Sequence, residues 1–191
     1  TYDDIAAQRL KKEKAEIDLM ALDLRVYLAG VRSGNPKVDT GTRAFDLSGV
    51  AVNLEAAADT VTRKIVELAK RKKLENVNFS DEGWQELLDF YDRVLRNVQH
   101  GIAVLMTEDS GAARELVRQK ELVRKIENKL EQTHLMRLRS GATETLETSA
   151  IHLDLLRALK MLNTAFATIA YPLLNESGEL LESRLSNDDV S

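Results

Sequence analysis

Two groups of acidic and histidine side chains have helical spacings that suit metal binding. The first is the pair Glu55 and Asp59, which stand four residues apart and project from the same face of a helix. Their small neighbours Ala56 and Ala57 let a partner helix or an ion approach closely. Carboxylates in this arrangement suit hard cations such as iron, magnesium or calcium. The alternative, and the commoner use of such a pair, is an exposed helix flank on which Asp59 pairs with Arg63.

The second group is Glu127, Glu131 and His134, which follow one another along one helix face. Glu131-x-x-His134 has the spacing of di-iron bundle proteins, with Glu127 one turn earlier. That design needs a second Glu-x-x-His element, but the residue three before His152 is Ser149. We therefore expect no di-iron oxidase site. We expect His134 to be a partly buried, hydrogen-bonding residue, with metal binding by these three residues as the alternative.

The remaining motifs give no basis for catalysis. His152 and Asp154 are two residues apart and point to different sides of a helix, so they cannot easily bind one ion, and Asp154 is expected to pair with Arg157. The chain has no cysteine and neither a nucleophile elbow nor a phosphate-binding glycine loop. Its net charge of −4 gives no reason to expect nucleic-acid binding. The sequence predicts a protein without enzymatic activity.

These residues lie on long predicted helices, and no strand pattern competes with them. With only two prolines and nine glycines in 191 residues, few positions interrupt a helix. Ser80 is a good N-cap for the third helix. The apolar periodicity predicts an all-α bundle of five helices, at about residues 3–32, 42–73, 80–105, 109–139 and 143–171.

Apolar stripes on these helices predict the faces that pack together. The second helix carries a seam whose spacings alternate between four and three, which is typical of long antiparallel packing. This seam comprises Leu47, Ala51, Leu54, Ala58, Val61, Ile65 and Leu68. The stripe of the third helix comprises Trp84, Leu88, Tyr91, Leu95, Val98, Ile102 and Leu105.

An internal repeat divides the chain into two halves. Val31-Arg32-Ser33-Gly34 ends one long helical pattern, and Leu138-Arg139-Ser140-Gly141 ends another. We predict a first half at 1–77 with two helices, a second half at 78–175 with three, and a flexible tail at 176–191. The first half lacks a third helix to cover its apolar surface. Either a helix that precedes Thr1 or a second copy of the chain in a homodimer is expected to supply it.

Residues 134–173 closely resemble the C-terminal cytoplasmic region of bacterial sodium/phosphate cotransporters, in which a PhoU-like helical domain follows the membrane part. The features that carry this resemblance are His134-x-x-Arg137-Leu138, the run from Glu147 to Arg157, and Ala170-Tyr171-Pro172. Residues 1–133 are similar to PhoU-type domains more generally, through the order of the helices and the segment from Asn53 to Asp59.

The resemblance implies a PhoU-like tandem of three-helix bundles whose first helix is missing here. It also implies that a cluster of iron or another divalent metal binds at Leu-Glu-x-x-x-Asp repeats, which Glu55 and Asp59 match. The corresponding positions in the second half are Lys160 and Thr164, and a lysine opposes a divalent cation. A carboxylate from the first helix, at Glu16 or Asp18, is a further expected ligand.

The function implied is that of a soluble regulatory domain on the cytoplasmic face of the plasma membrane. Its expected partner is the transmembrane part of the same sodium-dependent phosphate transporter. The alternatives are a free-standing PhoU-type regulator, a structural dimerisation bundle and, least consistent with the spacing, a di-iron protein. The basic run at 70–73 complements a helix C-terminus, and it also suits contact with an anionic membrane surface.

Overall fold

The computed structural model describes residues 2–33, 38–139 and 143–176, and every element in these ranges is helical. The predicted all-α bundle is therefore confirmed. No helix in the described ranges is both long and apolar enough to cross a membrane. The elements are α1 (Asp4–Ser33), α2 (Val38–Asp59), a π-helical segment (Thr60–Ile65), α3 (Val66–Glu75), α4 (Asp81–Thr107), α5 (Ser110–Arg139), α6 (Thr143–Ala167) and α7 (Ala170–Glu176).

Local side-chain chemistry sets several of the helix ends. The hydroxyl of Ser80 accepts a hydrogen bond from the backbone N–H of Gly83 at 3.2 Å, which confirms Ser80 as the N-cap of α4. Asp109 Oδ1 accepts from the N–H of Ala112 at 2.6 Å and starts α5 in the same way. At the other ends, Asn76 and Glu108 adopt left-handed conformations that terminate α3 and α4.

The second predicted helix is helical throughout but is not a regular α-helix. After Asp59 it continues as a π-helical segment before α3 begins. The hydroxyls of Thr60 and Thr62 donate to the carbonyl oxygens of Ala56 and Ala58, both at 2.8 Å. Such side-chain bonds to the preceding turn bend a helix, and the wider π turn changes the faces that α2 and α3 present.

Helices α4, α5 and α6 pack against one another as a three-helix bundle. The core of this bundle comprises Leu87, Phe90, Val94, Val123, Leu156 and Leu159, and a second cluster under α7 contains Val104, Leu116 and Leu174. Helix α6 also contacts α2, the π-helical segment and α3, so it connects the two halves. The predicted domain boundary near residue 77 coincides with the connection between α3 and α4 and stays a prediction.

The predicted stripe of α4 lies on one face, but that face is not the buried one. Trp84 is 49% exposed, and Leu88, Tyr91, Leu95 and Ile102 are exposed as well. The face that packs on α5 and α6 is rotated from it by one residue. It comprises Gly83, Leu87, Phe90, Val94, Asn97, Gly101 and Val104.

Helix α1 packs against α2 and leaves its outer surface uncovered by the described residues. The fifth predicted helix ends before Pro172 as expected, because α6 stops at Ala167. The short helix α7, which contains Pro172 in its first turn, was not predicted. The tail predicted at 176–191 lies outside the described residues, except for Glu176 at the end of α7.

Candidate functional site

Glu55 is held in an ion pair between α1 and α2. Both terminal nitrogens of the Arg25 guanidinium, Nη1 and Nη2, donate to its carboxylate, and the Nη2–Oε1 distance is 3.2 Å. The two side chains are partly buried, so this bidentate pair is shielded from bulk water better than a surface pair. The carboxylate that the sequence singles out as a metal ligand is therefore already neutralised by an arginine of the neighbouring helix.

Asp59 is likewise surrounded by cationic side chains. Its Oδ1 lies 3.0 Å from Lys14 Nζ of α1 and 3.2 Å from Arg63 Nε in the next turn. The ion pair with Arg63 is the one that the sequence gives as the alternative to metal binding. Lys14 Nζ also lies 2.5 Å from Asp18, and hydrogen bonds to these two aspartates raise the pKa of Lys14.

The residues around Glu55 and Asp59 do not fit a divalent cation in this arrangement. The ammonium of Lys14 lies between Asp18 and Asp59, which is where an ion bound by carboxylates from α1 and α2 would have to lie. In residues 2–33, 38–139 and 143–176, no group of three or more histidine, aspartate or glutamate side chains is arranged to hold a metal. Metal binding by Glu55 and Asp59 stays a prediction.

Glu127, Glu131 and His134 face α6, but each meets a different residue there. Glu127 is only 1% exposed, and its Oε1 lies 2.6 Å from Lys160 Nζ. Glu131 Oε1 lies 3.3 Å from Arg157 Nε. His134 is buried as well and, as expected, hydrogen-bonded. The three side chains share a face, as the spacing indicates, and together they form a polar interface between α5 and α6.

The hairpin formed by α1 and α2 and the hairpin formed by α5 and α6 are joined by ion pairs of opposite polarity. Between α1 and α2, the cations Arg25 and Lys14 belong to the first helix and the carboxylates to the second. Between α5 and α6, the carboxylates belong to the first helix and the cations Lys160 and Arg157 to the second. Lys160, which stands at the repeat position that corresponds to Glu55, is thus the counter-ion of a buried glutamate.

A pair of stacked histidines forms a second buried polar site between α5 and α6. The rings of His134 and His152 have centroids 4.5 Å apart and an interplanar angle of 20°. His134 Nε2 shares a hydrogen bond of 2.9 Å with the hydroxyl of Ser149. Phe79 packs edge-on against His152 with a centroid separation of 5.9 Å. Both histidines are 1% exposed, so each ring is almost completely removed from water.

An ion pair between α4 and α5 closes this histidine site. Arg137 donates two hydrogen bonds to the carboxylate of Glu86, at 2.7 and 2.6 Å. Glu86 Oε2 lies 4.0 Å from His152 Nε2, which is beyond hydrogen-bond distance. The crevice between the two histidines, Arg137 and Ser80 leaves no space for a water molecule. The site is therefore a tightly packed polar junction between α4, α5 and α6.

Burial keeps both histidines neutral at pH 7. The pKa of His152 is lowered to about 4, mainly by desolvation, with smaller lowering contributions from His134 and Arg137 that Glu86 opposes. Desolvation, followed by the charge of Arg137, also lowers the pKa of His134. Because two neutral rings can stack closely and two imidazolium ions cannot, protonation is expected to disrupt this junction.

Sequence reasoning identified only His134 as a candidate site residue among these groups. The sequence predicts that His152 and Asp154 point to different sides of the helix, and the structure confirms this, since His152 is buried and Asp154 pairs with Arg157 at 3.3 Å. No motif in the sequence points to Glu86. The way in which α5 and α6 pack together leaves no signal in the sequence. The contact between His134 and His152 therefore cannot be predicted from the sequence.

Over most of its length the chain is similar to bacterial proteins named "Putative inorganic phosphate export protein YjbB". The protein of Salmonella typhimurium (strain LT2) is 30% identical over 167 residues, which are 87% of this chain and 31% of that protein. The proteins of Escherichia coli K12 and Shigella flexneri are each 28% identical over 172 residues, 90% of this chain and 32% of theirs. The chain thus spans about a third of the length of the curated relatives it matches.

These relatives agree with the phosphate-related resemblance of residues 134–173. No protein-family model matches the chain, so its resemblance to PhoU-like domains has no such support. No solved structure matches it either.

The ion pair between buried Glu127 and partly exposed Lys160 gives a prediction about stability. Lys160→Met should lower the free energy of unfolding by about 3 kcal/mol or more, because the Glu127 carboxylate stays buried without its counter-ion. The double variant Glu127→Leu, Lys160→Met should recover most of this loss. Urea unfolding measures both values. Lys129→Met, an exposed lysine of α5, is the matched control; a loss no larger than that of the control would refute the pairing.

The stacked pair of His134 and His152, with the Glu86–Arg137 ion pair beside it, forms a histidine junction. This junction predicts that stability falls in mild acid. An unfolded histidine has a pKa of about 6.5, so the unfolded chain binds the proton more readily than buried His152, whose pKa is about 4. The free energy of unfolding should therefore decrease as the pH falls from 6.5 towards 4, by about 3 kcal/mol from His152.

Urea unfolding at pH 7.5 and 4.5 tests this prediction with His152→Phe, which keeps an aromatic ring but cannot titrate. The variant should lose less stability in acid than the wild type. His100→Phe alters the third histidine of the chain, outside the junction, and should keep the wild-type pH dependence. Equal acid sensitivity of wild type and His152→Phe would contradict the assignment.

Proposed function

We propose that this chain is a regulatory, non-enzymatic helical domain of a phosphate transporter. The observation that carries the proposal is its similarity, over 87–90% of its length, to proteins named for phosphate export, of which it spans about a third. The resemblance of residues 134–173 to sodium/phosphate cotransporters supports a more specific form. In that form, a PhoU-like domain on the cytoplasmic face acts on the transmembrane part of the same sodium-dependent transporter.

The bundle offers a physical basis for regulation. Helices α4, α5 and α6 form a well-packed body with buried polar junctions, so they move as a unit rather than deform. Apolar surfaces remain on the outside of α1 and α4, where a second helical element can pack. If the bundle contacts two conformations of the transporter differently, then covering or uncovering one of these surfaces shifts the equilibrium between the two conformations.

Phosphate flux through the proposed full-length transporter tests this role. The protein is expressed in bacteria that lack their own phosphate transporters, and radiolabelled phosphate movement is measured at low and high phosphate, with sodium or with potassium. Removing residues 1–176 should leave transport intact but change its dependence on phosphate concentration by about fivefold or more. The matched control carries Lys11→Ala, an exposed substitution, and should behave as wild type.

Two results would count against the proposal separately. Unchanged flux and unchanged phosphate dependence after removal of the bundle would rule out a regulatory role. Flux that is equal in sodium and in potassium would rule out the sodium-dependent form while leaving regulation of phosphate transport in place.

The exposed surface of α1 favours a second, compatible role in dimerisation. Leu19, Leu22 and Val26 are 63%, 50% and 64% exposed. With Ala15 and Ala29 they form a seam whose spacings alternate between four and three, as in helices that pair side by side. We propose that a second copy of the chain covers this seam, which is the contact that the unpaired first half lacks.

Light scattering coupled to size-exclusion chromatography measures the oligomeric state. The wild-type chain should elute with twice the mass of one copy, and Leu22→Glu should elute as a monomer, because a charge in an apolar helix interface is costly. Leu74→Glu is the control, since Leu74 is 75% exposed on α3, away from the seam. A monomeric wild type, or a dimer that Leu22→Glu leaves intact, would contradict dimerisation through α1.

A further inference from the structure

A groove opens where α3 ends and α4 begins, with α6 beneath it. Its volume is about 660 Å³, which lies within the range of sites for small organic ligands. The groove is separate from the ion pairs of the two hairpins, and it meets the histidine junction at Phe79, which lines the groove and packs on His152. Residues from the start of the chain, α3, the connection to α4, α4 and α6 all contribute to its lining, so only the folded bundle creates it.

The interior of the groove is apolar and has an aromatic wall. Ile151 and Leu155 of α6 and Leu68 of α3 line the groove. On the α4 side, Phe79 stacks on Trp84 with centroids 6.1 Å apart and an interplanar angle of 8°. Because Trp84 is 49% exposed, much of its surface stays open to a ligand. A planar aromatic group can extend this stack, as nucleobases do on aromatic side chains.

Two lysines of α3 give the groove a cationic side. Lys72 Nζ lies 5.6 Å from the centroid of Phe79 and donates to Asn78 Oδ1 at 3.1 Å. Lys73 Nζ lies 3.5 Å from Asp4 and 5.4 Å from the ring centroid of Tyr2. The contacts of Lys73 are largely exposed and of the kind that contribute little to stability. A multiply charged phosphate group can therefore recruit both ammonium groups.

The remaining polar groups favour a ligand with hydroxyl or amino groups over a bare anion. Asp81, at the start of α4, contributes a carboxylate to the lining, and Asn76 and Asn78 contribute amides. A carboxylate repels inorganic phosphate but accepts hydrogen bonds from sugar hydroxyls or from the amino group of a base. The combination of aromatic wall, carboxylate, amides and lysines matches the parts of a nucleotide.

We propose that this groove binds a nucleoside phosphate, with the base against Trp84 and the phosphates at Lys72 and Lys73. The proposal goes beyond the role in phosphate transport and does not depend on it. A domain with such a site responds to a phosphate-containing metabolite, whether or not it also affects movement of the free ion.

The chain supplies its own reporter, because Trp84 is its only tryptophan. ADP added to the 191-residue chain should change the tryptophan emission in a saturable manner, and isothermal titration calorimetry should give the same dissociation constant. Adenosine, which lacks phosphate, and inorganic phosphate, which lacks a base, should each bind at least about tenfold more weakly, since each makes only part of the contacts.

The variants Lys72→Ala and Lys73→Ala, combined, should weaken ADP binding by about tenfold or more. The matched control combines Lys70→Ala with Lys11→Ala, which removes the same charge at exposed positions outside the groove and should leave binding unchanged. Circular dichroism verifies that both double variants are folded.

Three outcomes would overturn the proposal. The first is that ADP neither changes the tryptophan emission nor produces a heat of binding. The second is equal weakening of ADP binding in the groove variant and in the control, which would indicate attraction by overall charge. The third is a blue shift of Trp84 with vesicles of anionic phospholipid but not with ADP, which would assign this end of the bundle to the membrane surface.

Discussion

Helix α6 is the centre of the structure, and the packing depends on the partners that its inward-facing polar side chains find on neighbouring helices. Helices α4 and α5 pack on it from one half, and the helix that runs from α2 through α3 packs on it from the other. A helix covered on several sides loses most of its contact with water, so its polar groups need partners within the protein. Asn163 accepts a hydrogen bond from Asn97 at 2.8 Å, His152 stacks on His134, and Lys160 neutralises Glu127.

These contacts specify one alignment of the helices. Apolar side chains such as Leu156 and Leu159 tolerate small shifts along a neighbouring helix, because one hydrocarbon contact replaces another. A buried charge does not, since a shift that separates Lys160 from Glu127 leaves a carboxylate unpaired in the interior. The polar junctions therefore determine the register of the bundle, while the apolar core supplies most of the driving force for packing.

The repeat shows which property the two halves share. Each hairpin brings opposite charges together across its two helices, but the cations belong to the first helix in one half and to the second in the other. What both halves retain is a hairpin interface that is close to electrically neutral. In the first half, Lys14 and Arg25 neutralise Asp59 and Glu55, which are the side chains that the sequence suggests as metal ligands.

Several apolar surfaces of the described chain are exposed. The seam of α1, the outer stripe of α4 and the groove beside Trp84 present apolar and aromatic groups to the outside. Such surfaces are costly to leave in water, and in a domain whose interior is already well packed they favour association. This distribution suits a protein that acts through contacts with partners and ligands.

The helical class, the approximate helix limits and the capping by Ser80 can all be predicted from the sequence, because they follow from interactions between residues close together in the chain. The sequence also places Glu127, Glu131 and His134 on one face. Which of two apolar faces of α4 is buried, in contrast, depends on how α4 packs against α5 and α6. The tertiary structure also decides which residues of α6 meet that acidic face. Spacing along a helix is a local property, whereas the partner of a buried group depends on the rotation and register of the neighbouring helices.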